Sequence, residues 1–311
     1  MKSIPHSRFP FAHTFSVVAR DPESGQIGVA VQSHWFSAGQ LVAWAEAGTG
    51  VVATQAIVEV NYGPLGLELM RTGKRADEAL SVLVKGDRFA SMRQVAMIDR
   101  SGNVAAYTGS RCIECAGHIT GENYSVQANM MANDAVVPAM ARAFESTSGD
   151  LAERLVVVLE AAQEAGGDIR GQQSAALLVV GGKPSKYPWK ETIVDLRIDD
   201  HPEPVVELRS LLVTQRAYRL MNQGDSELAK GEVEMALQSY SAASKLAPHI
   251  CELPFWHAVT LAGLGRMDEA LPLFRQVFQD NGGWADLVRR LPAAGLLKED
   301  PEMLARILSV I

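Results

Sequence analysis

Along the first two thirds of the chain, short runs of β-like alternation bracket longer stretches with helical spacing. TFSVVARD (14–21) alternates and breaks at DPESGQ, where Pro22 and Gly25 supply turn chemistry, and IGVAVQS (27–33) follows at hairpin distance. Two such runs pair most simply as an antiparallel hairpin. GVVATQAIV (50–58) is a further β-branched run, and PLGLELMRTGKRADEALSVLVK (64–85) carries apolar residues at helical spacing with Gly73 dividing two helices. RQVAMIDRSGNVAAYTG (93–109) reads strand, turn, strand about Ser101, Gly102 and Asn103. The helical pattern returns over 134–167, broken near Ser148 and Gly149, before SAALLVVGG (174–182) and ETIVDLRID (191–199). Every strand run has an apolar face to bury and both helical pairs are amphipathic. The pattern therefore predicts an α+β fold with two central antiparallel sheets and helices outside.

Asp199-Asp200-His201-Pro202-Glu203-Pro204 is polar and punctuated by proline, and strand signals stop beyond it. A boundary is expected near 205, giving a leader over 1–13, a sandwich domain over 14–205 and a helical domain over 206–311. Inside the helical part a repeat can be counted. Gly231, Ala236, Leu237 and Tyr240 recur as Gly265, Ala270, Leu271 and Phe274, each 34 positions on, which is the tetratricopeptide period. Small residues let the two helices of a hairpin approach, while Tyr240 and Phe274 fill the gap between hairpins. Fewer than three repeats cannot bury a continuous core, so flanking helices, including 284–311, are expected to help.

Composition narrows the function classes. With 29 Lys and Arg against 36 Asp and Glu, the formal net charge is −7 and no long basic run appears, which argues against nucleic acid as a partner. Cys112, Cys115 and Cys251 are too few and odd in number for a disulfide framework, which fits a reducing, cytoplasmic setting. Pro5, His6, Arg8, Pro10 and His13 interrupt the start too often for a signal peptide, and no run approaches the roughly 20 apolar residues of a membrane span.

The usual catalytic spacings are missing: the chain has no GxSxG elbow, Walker loop, HExxH or dinucleotide fingerprint after the first strand, so no cofactor and no metal site is expected. Cys112-Ile-Glu-Cys115 has no second cysteine pair or histidine pair beside it and reads as small buried thiols. His34, at the end of the second strand run, is either a proton donor or a half-exposed polar residue. The loop Gly166 to Ser174, with Asp168 and Arg170, suits a ligand-facing segment or a plain connection stapled by an Asp168–Arg170 pair.

TFSVVARDPESGQIGVAVQS, AEAGTGVVATQA, NYGPLGLELM, DRSGNVAAYTG, QANMM and GGDIRGQQSAALLVV, in this order, closely resemble a bacterial family known as domain of unknown function 1028. The resemblance covers about residues 12 to 210. It implies membership of the Ntn-hydrolase superfamily, with a four-layer αββα sandwich and a strand-leading nucleophile. That nucleophile would be Thr14, whose hydroxyl attacks an amide carbonyl while its own α-amine takes the proton. A free α-amine has a pKa of about 7.7 to 8.0, so a useful fraction is unprotonated near neutrality. Thirteen residues precede Thr14, so the mechanism requires cleavage of the His13–Thr14 bond.

A tight hairpin returns Gln32, Ser33 and His34 to the start of the first strand, and a neighbouring parallel run is expected to bring Thr54, Gln55 and Ala56 to the same edge. The Asp and Lys that tune the nucleophile in proteasome-type members have no counterpart, since Gln32 stands at the second-strand position and no lysine lies between 3 and 73. Ser33, Gln55 and Asn129 are the candidate catalytic companions of Thr14, with Asn129 as an oxyanion donor. His34, Asn61, Asp168 and Arg170 are candidate substrate contacts. The plain alternative for each amide is a buried group satisfying sheet-edge backbone.

Two functions follow. One is an Ntn-type amidohydrolase acting on a small amide, lactam or peptide bond after loss of the leader. The other is a catalytically silent binding protein on the same scaffold, whose repeats engage a protein or muropeptide ligand; relatives carry a segment associated with peptidoglycan binding after the sandwich, and 284–297 resembles the tail of that segment. The expected partners are a small-molecule or peptide substrate and a protein bound by the C-terminal repeats, with no nucleic acid and no membrane. A homodimer is the default, since most soluble oligomers are two-fold.

Overall fold

The computed structural model describes residues 11, 12 and 14–311. Of the leader, only Phe11 and Ala12 fall among the described residues, and the expectations that rest on His6 and His13 lie outside them. The chain divides into two compact units, Met1–Leu211 and Leu212–Ile311.

The first unit is a four-layer αββα sandwich. One sheet contains β1 (Phe11–Ala12), β4 (Ala43–Glu46), β5 (Gly50–Ile57), β6 (Arg93–Asp99) and β7 (Val104–Thr108). The other, in the order β11-β10-β3-β2-β9-β8, contains β2 (Thr14–Arg20), β3 (Ile27–Ser33), β8 (Gly117–Gly121), β9 (Tyr124–Ala128), β10 (Ser174–Val180) and β11 (Thr192–Ile198). All pairings of these strands are antiparallel. Two helices, α2 (Tyr62–Arg71) and α3 (Ala76–Gly86), cover the first sheet, and α4 (Val136–Ser146) and α5 (Leu151–Glu164) cover the second. A single turn of helix, α1 (Gly39–Val42), follows β3.

Alternation along the strands assigns the layers. Val18, Val29, Val31, Val51, Ala53, Ala96 and Ile98 meet between the sheets. On the outer face of the first sheet, Val52, Val95 and Met97 pack against Leu67, Met70 and Leu80 of α2 and α3. Two glycines let α2 lie close: a Cβ on Gly63 would stand 2.4 Å from the Trp44 ring, and one on Gly66 would stand 2.9 Å from the Met97 methyl. On the other side Gly28 serves the same purpose for α5, where an added Cβ would meet Leu155 at 2.8 Å. The stripe Leu151, Leu155, Val158, Leu159 and Ala162 is buried at helical spacing, and Asp150 caps that helix by accepting from the Glu153 amide at 2.9 Å. Replacing a fully buried leucine such as Leu155 by alanine leaves a cavity worth about 2–5 kcal/mol.

The second unit is helical. After the later part of α6 (Pro204–Ala229) come α7 (Val233–Leu246), α8 (Glu252–Gly263), α9 (Met267–Asp280), α10 (Gly283–Arg290) and α11 (Pro301–Leu308). The counted repeat has a backbone counterpart: Gly231 and Gly265 each precede a helix with φ of +81° and +79°. Tyr240 and Phe274 are both buried, and Phe255 stacks edge-on to Phe274 with centroids 6.2 Å apart. A Cβ on Gly224 would stand 2.7 Å from the Tyr240 ring, so glycine there is what admits the tyrosine. Leu291 and Leu297 from the connection between α10 and α11, and Ile307 of α11, join this core. No helix among the described residues is long and apolar enough to cross a membrane.

Candidate functional site

At one end of the inter-sheet layer the apolar filling gives way to hydroxyls and amides. Ser174 of β10 pairs with Ser33 of β3, and Ser33 with Thr14 of β2. The row continues past β9 to Asn129, whose backbone amide donates to the Thr14 carbonyl at 3.1 Å. All four residues are buried. Directly opposed side chains in a sheet stand about 4.5–5.5 Å apart at Cβ, so the row presents three hydroxyls and an amide along one strand end. Ser174 is committed to holding the following loop: its hydroxyl accepts from the Ala38 amide at 3.1 Å and donates to the Trp35 carbonyl at 2.6 Å.

The facing sheet supplies the rest. Gln55 reaches across the gap and its Nε2 donates to the Thr14 carbonyl at 3.1 Å and to Gln94 Oε1 at 2.7 Å. Its Oε1 accepts from the Ser16 hydroxyl at 2.6 Å, and Ser16 in turn accepts from Gln127 Nε2 at 2.6 Å. Gln94 is the hub. Its Oε1 also accepts from Asn129 Nδ2 at 2.8 Å, while its Nε2 donates to Thr108 Oγ1 at 2.9 Å, the Ala128 carbonyl at 2.9 Å and the Gly117 carbonyl at 3.0 Å. Thr108 continues the chain outward to His118 Nδ1 at 2.8 Å. A cavity of about 540 Å³ opens at this end, lined by Thr108, Ser110, Cys112, Glu114, Cys115 and Asp134 among others.

Two left-handed residues set this geometry. Ala56 (φ +71°) follows Gln55 and Met130 (φ +60°) follows Asn129. For residues with a Cβ such backbone costs about 1–2 kcal/mol, and it persists where the surrounding packing over-determines it. Both amides that touch the Thr14 carbonyl are thus followed at once by a strained residue that turns the chain.

Beyond Ser33, the His34 amide donates to Asp168 Oδ2 at 3.5 Å, and His34 Nδ1 lies 3.2 Å from the Gln172 carbonyl, which fixes the proton on Nδ1. Asp168 is buried and holds Arg170 in a fork, Nε to Oδ1 at 3.0 Å and an Nη to Oδ2 at 2.7 Å. Met131 bridges to Asp168 and the Ile169 amide donates to the Met130 carbonyl. The loop with Asp168 and Arg170 is therefore tied to the residues that follow both Ser33 and Asn129.

Thr14, Ser33, Gln55 and Asn129 are brought together, and His34, Asp168 and Arg170 stand just beyond them. Asn61 stands apart: it precedes α2 and, with Glu59, Tyr62 and Asp87, lines a separate hollow of about 320 Å³ on the outer helices. The expected route of Gln55 is corrected. It arrives from the opposite sheet, not from a parallel neighbour of β2, because β5 pairs with β4, β6 and β1. Gln32 is in register with Phe15 and points to the α5 side, away from Thr14; its buried amide has no hydrogen-bond partner among the described residues. Cys112 and Cys115 are half-exposed free thiols, not buried ones, and burial of the Cys112 sulfur pushes its pKa up, away from thiolate chemistry. No group of three or more His, Cys, Asp and Glu among the described residues is placed to hold a metal ion.

Gln94, Gln127, Ser16 and Ser174 went unnoticed in the sequence. The signal that could have found three of them is alternation: Gln94 shares its parity in RQVAMID with Ala96 and Ile98, Ser16 shares its parity in TFSVV with Val18, and Ser174 shares its parity in SAALLVV with Ala176, whereas Gln127 shares its parity in YSVQA only with Ser125 and carries no such signal.

An αββα sandwich with a buried hydroxyl and amide row at one strand end defines the class of protein. Residues 14–208 match the model of a family of unknown function (DUF1028), and the chain belongs to that family. The crystal structure of protein SPO2555 from Silicibacter pomeroyi, described with the same family model, is similar to this chain at 33% identity with a TM-score of 0.58. The match covers 65% of this chain and 85% of that one. No curated protein matches.

Proposed function

We propose that the chain is an Ntn-type amidohydrolase, with Thr14 as nucleophile, that cleaves a small amide, lactam or peptide bond once the leader is gone. The observation that carries this reading is the position of Thr14: it heads β2 between Ser33 and Asn129, with Gln55 Nε2 at 3.1 Å and Asn129 N at 3.1 Å both on its carbonyl. Those bonds fix the residue's backbone. A fixed backbone aims a hydroxyl and an α-amine held on the same residue, which is what a combined nucleophile and base requires.

Activation is an acyl shift. The Thr14 hydroxyl oxygen attacks the carbonyl carbon of residue 13, the C–N bond breaks, and the nitrogen takes the proton to become the α-amine. Water then hydrolyses the ester, releasing the leader as a carboxylate and restoring the hydroxyl. Turnover repeats the chemistry on an external amide: the α-amine accepts the hydroxyl proton, the leaving amine receives one, and water frees the acyl group. An amide donor well placed on the oxyanion is worth about 3 kcal/mol; Asn129 Nδ2 is the group this reading assigns to it. His34, with Asp168 and Arg170, would meet the substrate's polar end.

Intact mass tests the activation. The wild-type chain should lose residues 1–13, Thr14→Ser should also process, and Thr14→Ala should keep its leader with an unchanged fold. Retention of the leader by the wild type under every condition refutes the hydrolase. A second reading draws on the buried state of Thr14 and on β1 lying beside β5: the scaffold would be silent and its helical, tetratricopeptide-like unit would bind a protein or muropeptide. In that case deleting residues 212–311 abolishes capture of the ligand while processing is absent from the outset.

A further inference from the structure

One edge of β5 is shared unevenly. Strand β6 runs along one side of it from Gly50 to Ala56. On the other side β4 covers only Gly50 to Ala53, and the next pairing is with β1, where Phe11 faces Ile57 and Ala12 faces Ala56. On that side, the described residues beyond the leader therefore provide no strand for β5 at Ala56 and Ile57. The backbone seated there belongs to the leader, and it runs antiparallel to β5 with its carboxyl end leading, one residue on, to Thr14. The same strand β5 also sends Gln55 to the Thr14 carbonyl at 3.1 Å, so the open edge and the candidate reacting atoms are positioned by a single element.

We propose that the β5 edge at Ala56 and Ile57 is a binding site for the acyl side of an extended peptide, and that the leader occupies it as an intramolecular stand-in. An unpaired edge recognises any chain that can add a strand, because main-chain hydrogen bonds supply the affinity. The register follows from β1: the residue facing Ala56 is the one before the residue that carries the carbonyl presented to Thr14. The peptide class rests on the Thr14 reading for its chemistry, whereas the strand site itself rests only on the pairing. A strand tethered one residue from β2 has an effective concentration of at least about millimolar, so it holds the edge against any free peptide at micromolar levels.

The test uses fluorescence anisotropy on the full chain carrying Thr14→Ala, which keeps the leader in place, and on the same chain with Phe11→Pro and Ala12→Pro added, which removes both main-chain donors of β1. The probe is a labelled, amidated peptide copying residues 5–13. It should bind the proline variant at least about tenfold tighter than the Thr14→Ala parent. N-methylation of the probe's backbone at the positions copying Phe11 and Ala12 should cost about tenfold on the proline variant. Equal affinity for the two chains, absence of binding to a proline variant whose melting temperature is unchanged, or indifference to N-methylation each overturns the proposal. No arm depends on turnover. If the wild type retains its leader and hydrolyses nothing while the probe still binds as described, the hydrolase reading fails and the strand site stands; hydrolysis of small amides with no probe binding gives the reverse.

Discussion

Gln94→Met removes every polar atom from the hub of the inter-sheet network while nearly conserving volume. Two donors each lose one acceptor: Gln55 Nε2, which keeps the Thr14 carbonyl at 3.1 Å and the Gln127 carbonyl at 3.4 Å, and Asn129 Nδ2, which keeps the Thr14 carbonyl at 3.5 Å. The Gly117 and Ala128 carbonyls and the Thr108 hydroxyl lose the donor that reaches them at 2.9–3.0 Å. An orphaned buried polar group costs about 1–3 kcal/mol, and both donors are partly compensated, so with the three acceptors that also lose Gln94 the substitution should cost about 2–4 kcal/mol. In a unit of some two hundred residues each kcal/mol lowers the midpoint by about 2–4 °C, which places the loss at roughly 4–16 °C. Calorimetry on the full chain measures it, and intact mass reports whether leader removal slows as Gln55 and Asn129 lose their orientation. Gln94→Glu sharpens the comparison. A carboxylate still accepts from both amides but faces the Gly117 and Ala128 carbonyls without a proton to give, so its stability should improve as pH falls and it takes one up. A Gln94→Met chain that melts within about 1 °C of the parent would refute the hub assignment, because a buried network of this density cannot lose its centre at no cost.

The remaining predictions concern the helical unit. Gly231→Ala and Gly265→Ala should each cost about 1 kcal/mol and by the same amount, since both glycines are left-handed and an added Cβ would meet no atom within 4 Å; unequal midpoint losses in thermal melts would break the equivalence of the two repeat positions. His257, whose ring centroid lies 5.8 Å from that of Tyr240, has its pKa lowered by burial, against the neighbouring Glu269. Its unfolded form takes up a proton near pH 6.5 that the folded form resists, so the contribution is complete above that value and is lost as pH falls through the lowered folded pKa. Melts between about pH 7 and 5 should therefore decline less steeply for His257→Gln than for the parent, by under about 1.4 kcal/mol per pH unit, and parallel curves would count against the assignment.

Periodicity alone was enough to place β2, β3, β5, β6, β7, β10 and β11, the breaks at Gly73 and Gly149, and the 34-residue recurrence, because those signals are local: a strand's parity and a helix's stripe are written in adjacent residues. The return of Gln32, Ser33 and His34 to the start of β2 was also legible from the hairpin, and the structure puts Ser33 opposite Thr14. Strands β8 and β9 escaped because GHITG and YSVQA are short and, in β8, polar and half-exposed, so their strand state comes from pairing, β9 with β2 and β8 with β9, and not from pattern. What only the tertiary structure decided is which polar residues meet. Gln55, Gln94, Gln127 and Asn129 come from three strands and a loop in two different sheets, and Asn61, equally polar and equally suggestive in sequence, is carried to another surface. A chain records each residue's parity within its own strand, but the distance between two sheets and the register of one face against the other are set by the packing of all the side chains between them. Contact across that gap is thus a property of the assembled core.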